Sequence, residues 1–221
     1  MTMVAVPATA DNLPVPSAGQ APVVLPTGDP LPGPVPGRPR RGSTTIGTLL
    51  FITADAMVLA AVVAVYFAIK EGSAAWPPRG VSVGTYIPTM ITITAAMTAF
   101  SVQWCLFAAR RNDGRNAAMA LVLTLFLGLA MANLEWLAFI RSDFGFNDHT
   151  YGTLYDILIG YHLFHLLAAV VVVLVLSFRT LAGHFTVDRH DALRAGAVFW
   201  QYSNVVWFLV VSVLFLASRH G

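Results

Sequence analysis

Thiols and charges are what this sequence has least of. It holds a single cysteine, Cys105, at the end of an apolar run. A disulfide within the chain is therefore excluded, and a thiolate metal site lacks ligands, so Cys105 reads as a packing residue. Charged residues make up 11% of the 221, against 57% hydrophobic. A soluble domain of this size needs a charged surface, so the composition is that of a polytopic membrane protein. The formal net charge is only +2, with the basic residues in short loops, which gives no ground for nucleic-acid binding. The N-terminus has no basic flank followed by a short apolar core, so no secretory signal peptide is expected. There is no nucleophile with a base, no phosphate loop and no dinucleotide fingerprint. On its own residues this chain is not expected to be a catalyst.

Proline is scarce except at one end. Ten of the 13 prolines fall within residues 1–44. Proline removes backbone donors and turns its predecessor away from the helical region, so this segment is expected to be an extended or disordered arm. It closes on Arg38-Pro-Arg-Arg41. The arm reads either as a flexible tail with an orienting charge cluster or as a docking arm for a partner.

Residues 45–221 are expected to form an all-α, polytopic transmembrane bundle of five helices. The apolar runs lie near 46–69, 86–109, 117–140, 153–177 and 196–217, each long enough to span about 30 Å of hydrocarbon. Placing the N-terminus inside puts Arg38, Arg40, Arg41, Arg110, Arg111, Arg115, Arg179, Arg189 and Arg194 on the cytoplasmic side. Lys70, Arg79, Arg141 and Arg219 fall outside. Nine against four of the 13 basic residues gives N-in, C-out. Trp76, before Pro77-Pro78 in the first outer loop, is expected in an aromatic belt. The Thr and Ser residues of the second run, from Thr85 to Ser101, suit close helix packing.

Few polar groups interrupt these runs: Asp55, Glu135, Asp156, His162, His165, Gln201 and Asn204. Ionisable groups at membrane depth are costly and mark function by default. A rise of about 1.5 Å per residue puts Asp55 roughly 14 Å, Asn204 roughly 12 Å and His165 roughly 18 Å from the inner face. His162 and Glu135 both come out near 22 Å. Glu135 is thus expected to reach His162, while Asp55 could meet Asn204 and also His165. Three roles stand open for this buried set: polar glue, proton handling, or metal or haem ligation. The last wants more histidines on facing helices, or three close N/S ligands. The loop 178–195, with His184, Asp188, His190 and Asp191, reads as a solvated or proton-collecting surface.

These residues, taken in order, resemble subunit III of the haem–copper oxidases in a short five-helix form lacking the family's first two helices. Ala54-Asp55-Ala56-Met57 stands where the family has Ser-Glu, a residue and Met. Glu135-Trp136 matches Glu-Tyr, and Tyr151-Gly152-Thr153 a Tyr-Gly-Ser turn. Gly160-Tyr-His-Leu-Phe-His165 matches Gly-Phe-His-Gly-Leu-His. His184-Phe185-Thr186 matches His-Phe-Thr, and Phe199-Trp-Gln-Tyr-Ser-Asn-Val-Val-Trp207 matches Tyr-Trp-His-Phe-Val-Asp-Val-Val-Trp. The chain departs by having Asp55 for Glu, Gln201 for His, Asn204 for Asp and Leu163 for Gly. The resemblance implies a non-catalytic subunit of a terminal oxidase in a bacterial plasma membrane, packed on catalytic subunit I and on subunit II. It implies phospholipid binding, support of proton uptake near Asp55, and no metal on this chain, haem and copper lying in the partner. Arg179 is the candidate for a lipid headgroup. A subunit of a quinol oxidase or nitric oxide reductase, or a small proton channel or transporter, are the alternatives.

Overall fold

The computed structural model of the chain describes residues 42–81, 83–142, 144–182 and 191–216. The proline-rich arm up to Arg41, the His184-Phe185-Thr186 segment with Asp188, Arg189 and His190, and Arg219 lie outside the described residues. Among the described residues there are helices and no strands: α1 (Ser43–Glu71), α2 (Tyr86–Arg110), α3 (Gly114–Ile140), α4 (Thr150–Leu181) and α5 (Asp191–Val211). A π-helical turn, Ser212–Leu216, continues α5. All five helices are long and apolar enough to cross a membrane. Helices α1, α3 and α4 outrun their apolar stretches because polar residues complete their ends, whereas α5 starts earlier and stops at Val211, before the end of its run.

Local chemistry explains several of those ends. Between α2 and α3 the chain reverses through Asn112 in the left-handed region, at φ 57°, a conformation that asparagine tolerates better than most residues. Asp113 then caps α3, its carboxylate accepting from the Asn116 backbone N–H at 3.0 Å and from the Asn116 side chain. Those bonds, the backbone one foremost, hold the Asp113 carboxyl below the usual carboxylate range. His149 starts α4 with its Nδ1 accepting from the Gly152 N–H at 2.8 Å. The two bonds from backbone N–H groups, at Asn116 and Gly152, each satisfy one of the donors that a helix leaves unpaired in its first turn.

The helices pack in sequence, α2 on α3, α3 on α4 and α4 on α5, and α5 also touches α1 and α2. Association inside hydrocarbon depends on close fit and interhelical hydrogen bonds, because lipid tails are as apolar as leucine. Two glycines make the fit possible. A Cβ on Gly128 of α3 would lie 2.5 Å from Trp200 Cη2, and one on Gly196 of α5 2.5 Å from Leu176 Cδ1. Trp200 of α5 therefore seats its ring in a notch of α3. Ser101 of α2 and Thr124 of α3 join hydroxyls at 2.7 Å, and Cys105, one turn after Ser101, is buried.

Helix α1 is the exception. It buries only Thr45, Leu59 and Tyr66, and turns Leu50, Phe51, Met57 and Val58 outward. Polar ties hold it at three heights. At one end Thr45 Oγ1 donates to Asp191 Oδ1 at 2.7 Å, and the Thr44 N–H to Asp191 Oδ2 at 3.0 Å. Asp55 ties the middle. At the other end Trp76 Nε1 donates to the Tyr66 hydroxyl at 2.8 Å. Trp76 does not stand in a lipid-facing belt: its ring is 8% exposed, edge-on to Tyr66 and Tyr151. The buried Tyr66 hydroxyl needs a donor, and the indole is the one within reach.

Candidate functional site

The outermost of the buried polar centres joins α3 to α4. Glu135 and His162 are both fully buried, and His162 Nδ1 lies 2.6 Å from Glu135 Oε1. The imidazole stands 5.0 Å from the Trp207 ring of α5, and Trp207 Nε1 donates to Thr92 Oγ1 of α2 at 3.0 Å. Four helices converge on this pair. Glu135 Oε2 and His162 Nε2 meet no protein partner. A carboxylate this deep is tolerable only when paired, and the facing imidazole supplies the partner.

A second centre is built on Asp55 of α1. Its Oδ2 accepts from the Tyr161 hydroxyl of α4 at 2.7 Å and from the Tyr202 hydroxyl of α5. His165 Nε2 lies 3.0 Å from the same oxygen. That contact does not make a directed hydrogen bond. His165 is held by its other nitrogen, Nδ1, which donates to the Tyr161 carbonyl at 2.8 Å. Its ring lies against those of Tyr161 and Phe199. The Asp55 side chain remains 15% exposed, and Tyr161 and Tyr202 are themselves only partly buried.

The third centre faces α2. Asn204 Oδ1 accepts from Thr98 Oγ1 at 3.3 Å, and Asn204 Nδ2 donates to Gln201 Oε1 at 3.4 Å. Gln201 Nε2 donates to the Ala99 carbonyl at 3.1 Å. Asn204 thus does not meet Asp55, although counting along their helices gives both a similar depth. The six residues Asp55, Glu135, His162, His165, Gln201 and Asn204 form three separate centres, not one network. Residues 201 and 204 share the face of α5 that looks at α2, while Tyr202 points round toward α1.

Two groups not expected from the sequence, Tyr161 and Tyr202, dominate the Asp55 centre. A signal was present: each stands where the resembled family's motifs carry phenylalanine. Asp156 is also buried near the start of α4, its Oδ1 without a protein partner. Among the described residues no three His, Cys, Asp or Glu side chains converge as a metal-binding group. These centres can hold and pass protons and can tie helices together. Arg179 is exposed in the last turn of α4. Beside that turn an apolar groove of about 740 Å³ runs between α3 and α4, with Arg115 at its rim and Thr180 and Leu181 in its wall.

The sequence matches a family model described as cytochrome c oxidase subunit III over residues 40–218. It is 30% identical over 175 residues to cytochrome c oxidase subunit 3 of Marchantia polymorpha, covering 76% of this chain and 66% of that protein. Against the protein of the same name from Arabidopsis thaliana it is 28% identical over 176 residues, with 76% and 66% covered. A third, from Thermostichus vulcanus, is 19% identical over 175 residues, covering 79% of this chain and 87% of the relative. The chain therefore spans just under two thirds of the first two relatives and most of the third.

Proposed function

The chain belongs to the cytochrome c oxidase subunit III family, and from that premise we propose that it is the non-catalytic third subunit of a haem–copper terminal oxidase. In this reading it packs on catalytic subunit I and on subunit II in a bacterial plasma membrane, with haem and copper held by the partner. Its own part is to steady the catalytic subunit and to keep protons arriving. The observation that carries the reading is the Asp55 centre. A carboxylate in the middle of a transmembrane helix, bonded to α4 and α5 and still partly exposed, supports a part in proton exchange with a facing surface. The Glu135–His162 pair, sealed on all sides, serves to tie the helices instead.

Phospholipid is the second ligand in this reading. The groove beside Arg115 is apolar along its length and basic at its rim, the pattern that holds acyl chains below an anionic headgroup, with Arg179 on the neighbouring turn. An oxidase of the quinol type, or a nitric oxide reductase, is the second reading. It is favoured by the neutral amides Gln201 and Asn204 on α5, where the resembled motif carries His and Asp.

The test is turnover of the native complex carrying Asp55→Asn. The variant is expected to assemble, and to lose proton-uptake rate or working lifetime during oxygen consumption. A complex that fails to assemble, or one whose turnover matches the parent, overturns the role given to Asp55. Nitric oxide consumption without oxygen consumption selects the second reading.

A further inference from the structure

Among the described residues, one oxygen of Asp55 takes the polar contacts of the side chain. Tyr161 reaches Oδ2 from α4, Tyr202 reaches it from α5, and His165 Nε2 stands beside it. Oδ1 takes no hydrogen bond from the described residues, and the side chain as a whole is 15% exposed. The tyrosines are themselves well placed. The Tyr161 hydroxyl also touches the Asp55 carbonyl at 3.2 Å, and the Tyr161 carbonyl fixes His165 through Nδ1. Both hydroxyls stand where the resembled motifs carry phenylalanine, and the acid they hold is one methylene shorter than the glutamate of the same family.

We infer that Tyr161 and Tyr202 are positioning residues that make up the reach of the shortened acid. Together they clasp Oδ2 toward α4 and α5 and so present Oδ1 at the surface of α1. An aspartate on α1 alone would stop short of the neighbouring helices. Two phenols, each extending from its own helix, close the gap and supply the donors. Geometry makes the three positions interdependent. With 2.7 Å between Tyr161 Oη and Oδ2, a carboxylate carried one methylene further cannot keep its place in the clasp: it displaces a hydroxyl or swings out to the open side. Removing the hydroxyls, conversely, makes the room that a glutamate needs. The functional part of this inference rests on the role proposed for Asp55, whereas the clasp itself does not.

Both parts are tested in the native complex. Three variants are compared for turnover lifetime, the pH profile of oxygen consumption, and retention of the subunit: Asp55→Glu, Tyr161→Phe with Tyr202→Phe, and all three changes together. Asp55→Glu is expected to shorten the working lifetime about fivefold, the scale of one lost hydrogen bond, and the double phenylalanine variant, which loses two, by up to about twenty-five-fold. The triple variant is expected to return to within about twofold of the parent and to recover its pH profile, since its losses are not independent. An Asp55→Glu variant indistinguishable from the parent overturns the inference, and so does a triple variant whose loss is the product of the other two. An infrared measurement with isotope-labelled tyrosine judges the clasp without turnover. Phenol bands removed by Tyr161→Phe and by Tyr202→Phe are expected to shift in Asp55→Asn. Bands that do not move there overturn the clasp. Bands that shift while turnover of Asp55→Asn matches the parent leave the clasp standing and sink the proposed function.

Discussion

Removing Glu135 and His162 separately and together is the sharpest thermodynamic test of how the helices are joined. Both side chains are wholly buried and 2.6 Å apart, so among the described residues each supplies the other's hydrogen bond. Interhelical hydrogen bonds in membrane proteins are mostly modest, about 0.6 kcal/mol and rarely above about 1.7. Breaking a buried ionisable pair by deleting one member sits on a larger scale, about 3–5 kcal/mol, because the survivor is left uncompensated. His162→Ala belongs to the second class. It strands a carboxyl whose other oxygen already has no protein partner, and it empties the space beside Trp207. Glu135→Gln is milder, about 1–2 kcal/mol, since an amide can still bond the imidazole. The packing lost with the ring appears both with and without Glu135 and cancels in the cycle. The remaining coupling is expected at about 1–3 kcal/mol. The full-length chain in mixed micelles, titrated with denaturing detergent and followed by tryptophan fluorescence, gives the four stabilities. Single losses that add to the double within about 0.5 kcal/mol would refute the pairing as an energetic unit.

Two further expectations concern packing and pH. Gly128→Ala drives a methyl to 2.5 Å from Trp200 Cη2, against a ring wedged between helices. Overpacking of this kind costs about 1–3 kcal/mol, read as a lowered unfolding midpoint, and an unchanged midpoint would contradict the notch. Asp113 has its carboxyl held below the usual range by its bonds to Asn116. A group whose folded pKa is depressed contributes stability that is present above its unfolded value, about 3.9. That stability is lost as the pH falls through the folded value. Asp113→Asn is therefore expected to be less stable than the parent at pH 7, with the gap closing toward pH 2. A gap that stays constant with pH would show that the cap does not depend on charge.

Much of the architecture is legible in the sequence because it depends on length and hydropathy alone. Each apolar run forms one helix, and a fixed rise per residue is enough to bring Glu135 level with His162. Depth, however, is one coordinate of two. Asp55 and Asn204 count to nearly one level, yet they sit on different seams. Which way a residue faces on α5 depends on three neighbouring helices, and counting along the axis is blind to that. Gln201 and Asn204 turn to α2 and bond Ala99 and Thr98, while Tyr202 turns to α1. The phenols are hidden for a related reason. Tyrosine in a membrane helix reads as an apolar ring, and its hydroxyl acquires meaning only when a carboxylate stands opposite. Trp76 shows the same limit from the other side, since an indole near a helix end suits an interface belt equally well until a buried phenol claims its N–H.

The central claim is that this chain is a scaffold and proton-handling partner for a redox centre held by another subunit. Purifying the native membrane complex through a tag on this chain, then separating the chain from it, measures that directly through haem absorbance. Haem is expected to elute with the intact complex and to remain with the other subunits once this chain is removed. A tagged complex without haem, or haem that stays with the isolated chain, would contradict it.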